Sequence, residues 1–352
     1  MTVGFFSPLP PAPTGVADYA AALSEALGTL AEVRVGDAAA DICLYHLGNN
    51  PLHREVYLQA LARPGIAVLH DAVLDHFFLG TLSREEYVEE FVYNYGEFER
   101  DYAARLWDAR GGSAQDPRYF VRPMVRRIAE ASLAVVVHNP AAVRIVREHA
   151  PAARVVEIPH LFVPRTPSPR PGANQEFTFG VFGHLRESKR LAAILRAFAR
   201  VHGARLLVAG DFVSKDLERA LAPMLAAPGV RRVPYVAEAE FEALVAGVDA
   251  CIALRDPSAG ETSGIVIRSM GLGKPVLMSA GEETEQLPED AVIRIDRGLA
   301  EEPLLVEYMV WLVEHPENAR MIGRRAAVYI AEHHGVDRAA RLYFELLSSC
   351  CR

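Results

Sequence analysis

Residues 177–211, FTFGVFGHLRESKRLAAILRAFARVHGARLLVAGD, contain an apolar run, an amphipathic helical pattern and a second apolar run. Continuous apolar runs of this length are typical of strands in a parallel sheet that helices cover on both faces. The segment therefore predicts a strand at 177–183, a helix at 189–202 and a second strand at 204–211.

The same alternation continues on both sides of this segment. Further strands are predicted at 3–7, 33–36, 41–48, 66–70, 133–139, 230–236, 249–255 and 274–279, and helices at 18–28, 214–226, 238–247, 264–272 and throughout 301–349. This order predicts an α/β protein with two doubly wound, Rossmann-like domains that face each other across a cleft, followed by a C-terminal helical tail.

The chain length and one proline-rich segment divide the sequence. A length of 352 residues favours two domains, because one domain usually has about 150. Residues 163–177, VPRTPSPRPGANQEF, contain four prolines and resemble a linker. We therefore expect domains at 1–163 and 177–335, a linker at 164–176, and a helix at 336–352 that returns to the first domain.

Composition excludes several classes of protein. The net charge of −8 argues against a nucleic-acid-binding protein. Four cysteines without a zinc-ligand or secreted spacing fit a reducing compartment. With no signal peptide and no apolar run of about 18 residues, we expect a soluble, cytoplasmic protein.

Residues 83–132 form a long predicted helical stretch outside the strand–helix alternation. Its face contains the aromatic side chains Phe91, Tyr95, Phe98, Tyr102 and Trp107, with arginines nearby. Packing of the aromatic side chains on the first domain is one interpretation. Contact with an acceptor or with the inner face of a membrane is the other.

Two segments of the first half follow predicted strands. The loop PPAPTG leads through Gly15 into a helix, whose N–H groups can bind a phosphate; alternatively the loop is a stiff connector and Asp18 caps the helix. The strand at 66–70 ends in His70 and Asp71, which suit a sugar hydroxyl or merely form a polar edge.

Cations follow the first strand of the second half. Arg186, Lys189 and Arg190 lie in the turn into a helix, where positive charge opposes the helix dipole. Such a conflict indicates a diphosphate site, since local rules tend to fail at functional positions. A solvated helix start is the alternative interpretation.

Residues 254–276, LRDPSAGETSGIVIRSMGLGKPV, form the most specific segment. A strand is followed by a loop of small residues and then by a helix. Glu261 is placed to accept hydrogen bonds from sugar hydroxyls, and the backbone N–H groups of 262–264 lie at the helix start, where phosphates bind. A capped loop, with Glu261 interacting with the helix dipole, is the alternative.

These segments together resemble the retaining GT-B glycosyltransferases of the fourth family. The similar segments are PPAPTGVADY, LHD, EIPHLFVP, FGHLRESKR, LLVAGD and GETSGIVIRSMGLGKPV, in the family's order along nearly the whole chain. The resemblance implies an acceptor-side N-terminal domain and a C-terminal domain that binds the nucleotide sugar. SMGLGKPV matches the closing part of the family's last motif well.

The resemblance also implies residue roles. His70 lies at the edge of the sugar, Arg186 and Lys189 form the cationic pair on the diphosphate, and Glu261 holds sugar hydroxyls. The catalytic candidates are His70, Arg186, Lys189 and Glu261, and the donor-binding candidates are Gly15, Thr262, Ser263, Gly264, Arg268 and Val236.

Two positions depart from the family pattern. Arg268, followed by Ser269, stands where a second glutamate usually binds the ribose, and His184 stands where an arginine usually follows the glycine. A guanidinium accepts no hydrogen bond. Three interpretations follow. Another residue accepts the hydrogen bonds of the ribose, or Arg268 points away from the site and Ser269 supplies part of the ribose binding. In the third, Arg268 binds an anionic group of the donor or the acceptor.

The activity implied by the resemblance is transfer of a sugar, such as a hexose, from a nucleotide-diphosphate donor with retention. We expect a front-face reaction without metal or cofactor, in which the cations and a helix N-terminus stabilise the leaving diphosphate. The acceptor is a glycan, a lipid-linked molecule or a small molecule. A GT-B-like epimerase and an inactive nucleotide-sugar-binding protein are the alternatives.

Overall fold

The computed structural model describes residues 1–164, 176–234, 236 and 238–351. The predicted linker at 164–176 lies outside these ranges except for its two end residues. The chain forms two compact units. Unit 1 comprises Met1–Val163, Pro257–Thr262 and His334–Arg352, and unit 2 comprises Pro164–Asp256 and Ser263–His333.

Unit 1 contains a six-stranded, wholly parallel sheet in the order β2-β1-β3-β4-β5-β6. Its strands are β1 (Thr2–Phe6), β2 (Glu32–Val35), β3 (Ile42–Leu47), β4 (Ile66–Leu69), β5 (Ala134–Val137) and β6 (Val155–Glu157). Its first seven helices are α1 (Gly15–Leu27), α2 (Arg54–Ala62), α3 (Asp75–Thr81), α4 (Arg84–Tyr95), α5 (Arg100–Ala109), α6 (Arg126–Ala131) and α7 (Pro140–His149). The strands β3, β4 and β5 are buried along their whole length because helices cover both faces.

Unit 2 contains a second parallel sheet, in the order β12-β11-β10-β7-β8-β9. Its strands are β7 (Phe177–Phe182), β8 (Ala204–Ala209), β9 (Val230–Val233), β10 (Ala250–Ala253), β11 (Val276–Ser279) and β12 (Ile293–Ile295). Its helices are α8 (Leu191–Phe198), α9 (Lys215–Leu225), α10 (Glu238–Gly247), α11 (Gly264–Gly271), α12 (Glu301–Glu314) and α13 (Pro316–His333). The two sheets confirm the predicted doubly wound α/β fold.

The last helix of the chain, α14 (Val336–Cys350), belongs to unit 1 and packs against α1. The hydroxyl groups of Tyr19 on α1 and Tyr343 on α14 lie 3.0 Å apart in this buried contact. Ala339, Ala340 and Leu347 complete the apolar face of α14. The C-terminal residues therefore contribute to the core of unit 1.

Several observed elements differ from the predicted ones, and the helices α2, α3 and α7 were not predicted. The strands β6 and β12 were not predicted, because each has only three residues and therefore no readable periodicity. The predicted helix over 301–349 is interrupted at His315 and at 334–335. The stretch 83–132 forms α4, α5 and α6, with mainly irregular chain between Arg110 and Val125.

The aromatic side chains of this stretch mostly pack inward. Phe91 is fully buried, and Tyr95, Tyr102 and Trp107 pack against the same core. Phe98 is fully exposed. None of the helices within the described ranges combines the length and apolar character that a membrane span requires.

Candidate functional site

A topological switch point lies at the centre of the unit 2 sheet. From β7 the chain proceeds outward through β8 and β9 on one side, and β10, β11 and β12 follow on the other. Ligands of open α/β sheets bind where the strand order reverses, beyond the carboxyl ends of the strands. The neighbouring strands β7 and β10 define this position.

A pocket opens at this switch point. Its lining residues come from the ends of β7 and β10, the turn after β7 and the start of α11: Val181, Phe182, Lys189, Ile252, Ala253, Leu254, Arg255, Ser263 and Ile265. The pocket has apolar walls, one lysine, one arginine and the end of a helix. Such a combination suits an anionic ligand that also carries an apolar part.

Lys189 is held beside the pocket by the chain end of β7. Its Nζ donates to the Phe182 carbonyl oxygen at 2.8 Å. Gly183 has a φ of 88°, and a Cβ atom there would lie 2.9 Å from Lys189 Nζ. The positive φ therefore favours glycine at 183, and any larger residue there would also displace the Lys189 ammonium group. Arg186 lies in the same turn and is exposed.

Arg190, the third cation of the turn, has a structural partner. Its Nε and one Nη lie 2.9 and 2.8 Å from Oε1 of Glu301, whose side chain is 2% exposed. This hydrogen bond raises the pKa of Arg190. Arg190 also adopts a left-handed backbone with φ 56°, which is uncommon for a non-glycine residue. We assign it to the stability of unit 2.

The N-terminus of α11 faces the same pocket. Ser263 caps the helix, since its Oγ accepts from the Val266 N–H at 3.4 Å, and Gly264 is the first helical residue. Ser263 and Ile265 line the pocket. The first N–H groups of a helix have no partner inside it and carry a partial positive charge, so they suit a phosphate.

The loop Pro257–Thr262, which directly precedes Ser263, belongs to unit 1. Glu261 Oε2 accepts hydrogen bonds from the Ala259 N–H at 2.8 Å and from Ser258 Oγ at 3.2 Å. Glu261 therefore helps to order its own loop. The Thr262 hydroxyl accepts from Asn139 at 3.0 Å and donates to the His138 carbonyl oxygen at 3.2 Å. The Thr262 hydroxyl is therefore engaged within unit 1.

Gly15 is the first residue of α1, the helix that follows β1. Thr14, rather than Asp18, caps this helix by accepting from the Val16 N–H at 3.4 Å. Apart from its chain neighbours and its own helix backbone, no atom of the described residues lies within 4 Å of the position that a Cβ of Gly15 would take. Open space therefore adjoins this helix N-terminus in unit 1.

His70 lies in a buried chain of histidines that the sequence analysis missed. His46 Nδ1 lies 3.1 Å from His70 Nε2, and His138 Nε2 lies 3.3 Å from His70 Nδ1. His70 is only 9% exposed. Both ring nitrogens of His70 are thus engaged within unit 1, and a sugar hydroxyl would have to displace one of these contacts.

The backbone fixes the proton positions along the histidine chain. His138 Nδ1 lies 2.8 Å from the Ile158 carbonyl oxygen, which can only accept, so Nδ1–H donates. In neutral rings, His138 Nε2 then accepts from His70 Nδ1–H, and His70 Nε2 accepts from His46 Nδ1–H. His46 Nε2 is left as a buried acceptor without a hydrogen-bond partner in the described part of the chain.

Burial keeps these rings neutral. Burial lowers the pKa of His138 to about 4, as it does for the nearby His53. Burial also holds the pKa values of His46 and His70 well below the usual value of 6.5. Each histidine therefore stabilises the fold fully above pH 6.5 and loses this contribution as the pH falls, because the unfolded chain binds the proton first.

This linkage predicts a pH dependence of stability. We expect His46→Asn to flatten the fall in unfolding free energy as the pH drops below 6.5, by up to about 1.4 kcal/mol per pH unit. The asparagine amide keeps a donor near the position of Nδ1. Urea denaturation of both proteins at several pH values measures the difference. Parallel curves would exclude a titrating His46.

The titration of Asp75 changes the unfolding free energy with pH in the opposite direction, but it contributes equally to the wild type and to His46→Asn. Burial raises the pKa of Asp75 to about 7, so its stabilising contribution declines as the pH rises towards 7. The group is present in both proteins. Only the difference between the two slopes reports His46.

The predicted ribose position is occupied by two dissimilar residues. The Arg268 guanidinium lies 5.7 Å from the ring centre of Phe241, a cation–π distance. Ser269 is fully buried, so its hydroxyl does not reach an open surface. A part for Ser269 in ribose binding stays a prediction, and it would require the buried hydroxyl to become accessible. Val236 is half-buried.

No protein-family model and no curated protein sequence match the chain. Solved structures match it along its whole length. Anabaena HepE in complex with UDP-glucose has a TM-score of 0.69 at 14% identity, with 99% of this chain and 100% of that chain covered. Sucrose-phosphate synthase from Thermosynechococcus elongatus has a TM-score of 0.68 at 16% identity, with the same coverage.

A third similar structure is WaaG, a glycosyltransferase involved in lipopolysaccharide biosynthesis. Its TM-score is 0.59 at 13% identity, with 99% of each chain covered. These neighbours are GT-B glycosyltransferases. The fold expected from the sequence motifs is therefore confirmed: the chain has the two-domain GT-B fold of these glycosyltransferases.

Proposed function

We propose that the chain is a glycosyltransferase that takes its sugar from a nucleotide-diphosphate donor. The pocket at the β7–β10 switch point carries this proposal, because it brings Lys189 and the N-terminus of α11 to one surface of unit 2. UDP-sugars are the first donors to test, since the similar HepE structure contains UDP-glucose.

Charge stabilisation is the proposed source of catalysis. Negative charge grows on the diphosphate as the bond to the sugar breaks. Lys189, the exposed Arg186 and the first N–H groups of α11 are suited to stabilise this charge. We propose that these groups allow the reaction to proceed without a metal ion.

The proposed front-face reaction retains the configuration at the anomeric carbon of the sugar. The bond to the diphosphate breaks, the acceptor oxygen attacks from the same face, and a leaving phosphate oxygen takes the acceptor proton. The transition state resembles an oxocarbenium ion. Glu261 is proposed to orient the donor through sugar hydroxyls, and His70 to lie at the sugar's edge once a contact of the histidine chain opens.

Arg268 is the strongest argument for the inactive, nucleotide-binding alternative. Its guanidinium lies at a cation–π distance from Phe241 and cannot accept hydrogen bonds from the ribose hydroxyl groups. If this position is a weakened ribose site, Arg268→Glu is expected to tighten nucleotide binding and Arg268→Ala to leave it nearly unchanged. If Arg268 binds an anionic substrate group, both changes weaken the binding of one particular ligand. Calorimetry with UDP and UDP-sugars distinguishes these results; unchanged affinity in both variants assigns Arg268 to the surface.

A thermal-shift screen tests donor binding first. A ligand at a hundred times its Kd stabilises the folded protein by about 2.7 kcal/mol, which raises Tm by several degrees. We expect one nucleotide, and its sugar derivatives, to stand out from a panel of nucleoside mono- and diphosphates. A uniform absence of stabilisation would contradict the proposed donor site.

A further inference from the structure

Asn139 is a buried residue whose side chain contacts two separate segments. It lies between β5 and α7 and is 0% exposed. Its Oδ1 accepts from the Ala142 N–H at 2.8 Å and so caps α7. Its Nδ2 donates to the Gly260 carbonyl oxygen and to Thr262 Oγ1, each at 3.0 Å. Both amide hydrogens are thus directed at the loop that contains Glu261.

The rest of unit 1 supports the same loop. The Ala72 N–H donates to the Ala259 carbonyl oxygen at 2.9 Å. Gly260 has a φ of 71°, and a Cβ atom there would lie only 3.0 Å from Ala72 Cβ. The residues on both sides of Glu261 are therefore fixed, while the Glu261 side chain itself is partly exposed.

Capping alone does not explain this arrangement. An N-cap needs only one acceptor, and aspartate or serine supplies it as well as asparagine does. The two donors of Asn139 face the loop and no part of α7. The amide group thus joins the helix start to the loop, a connection that an aspartate cannot make.

We propose that Asn139 is a positioning residue for Glu261: it holds Gly260 and Thr262 so that the Glu261 carboxylate is presented to the sugar of the donor. The inference rests on the proposed glycosyltransferase function. A carboxylate that binds sugar hydroxyls must be placed to within a fraction of an ångström, because a displacement of about 1 Å can cost 10²-fold in rate.

Asn139→Asp tests the holding of the loop without any ligand. The carboxylate still caps α7 but faces the Gly260 carbonyl oxygen with an acceptor. We expect faster hydrogen exchange at the Ala72 N–H, which the Ala259 carbonyl oxygen protects. Asn50→Asp is the matched control, because Asn50 also caps a helical turn of unit 1 by accepting from the Leu52 N–H at 3.1 Å. Unchanged exchange in Asn139→Asp would overturn the proposal.

A double-mutant cycle tests whether Asn139 acts through Glu261. With UDP-glucose as the probe, we expect Asn139→Asp to lower the rate of UDP release by about tenfold or more, but by less than about twofold when Glu261→Gln is already present. The Kd of UDP alone should stay within about twofold of the wild-type value. Equal rate losses in both backgrounds would overturn the inference. Failure of the proposed function appears separately, as no release of nucleoside diphosphate by the wild-type protein from any nucleotide sugar.

Discussion

Lys189→Ala is expected to slow sugar transfer by about 10²-fold or more, and Arg186→Ala to slow it in the same direction. Lys189 lines the switch-point pocket and is held there by the Phe182 carbonyl oxygen. A positive charge at this place acts most strongly when the diphosphate departs. The loss should therefore appear mainly in kcat, with a smaller weakening of donor binding. Steady-state kinetics of nucleoside diphosphate release measure both values.

Arg190→Ala is the control for general damage to this turn. It removes the partner of the buried Glu301 and should lower the unfolding free energy by about 1–3 kcal/mol. At a temperature where it is folded, its kcat should stay close to that of the wild type. Circular dichroism checks the folding of all three variants. Near-wild-type kinetics in both Lys189→Ala and Arg186→Ala would exclude the proposed diphosphate site.

Glu261→Gln should weaken binding of the nucleotide sugar more than binding of the nucleoside diphosphate. If the carboxylate accepts hydrogen bonds from sugar hydroxyls, affinity for the nucleotide sugar falls by about tenfold while affinity for the nucleoside diphosphate stays nearly constant. Calorimetry with the two ligands gives the comparison. Glutamine is preferred to alanine, because its amide oxygen can still accept from the Ala259 N–H that orders the loop.

Ser258→Ala controls for the internal role of Glu261. It removes the second donor to Oε2, the Ser258 hydroxyl at 3.2 Å, but leaves the carboxylate in place. We expect it to affect both ligands little. If Glu261→Gln lowers the affinities for the nucleoside diphosphate and the nucleotide sugar equally, Glu261 orders the loop and does not bind the sugar.

The sheets could be predicted from the sequence because their strands are long apolar runs between helical patterns. The division of the chain was harder to see. The loop at 257–262 follows β10 of unit 2 in the sequence, yet its contacts are with Ala72, His138 and Asn139 of unit 1. Tertiary hydrogen bonds of this kind leave no periodic signal in one sequence.

The histidine chain shows which information was missing. His46 lies near the end of β3, and His70 and His138 directly follow β4 and β5. Each residue is ordinary by itself. Only the strand order, in which β3, β4 and β5 are neighbours, brings the three rings to one edge of the sheet. Asn139 carried a weak local signal, since an asparagine before a proline is typical of a helix start.

Acceptor-dependent release of nucleoside diphosphate is the direct assay for the proposed sugar transfer. The purified protein is incubated with a panel of nucleotide sugars, beginning with UDP-sugars, with and without a mixture of glycan, lipid-linked and small-molecule acceptors. We predict release from one donor that rises when a suitable acceptor is added and falls by about 10²-fold in Lys189→Ala. A wild-type protein that binds a nucleotide sugar but releases no nucleoside diphosphate with any acceptor would show that it is not a glycosyltransferase for these substrates.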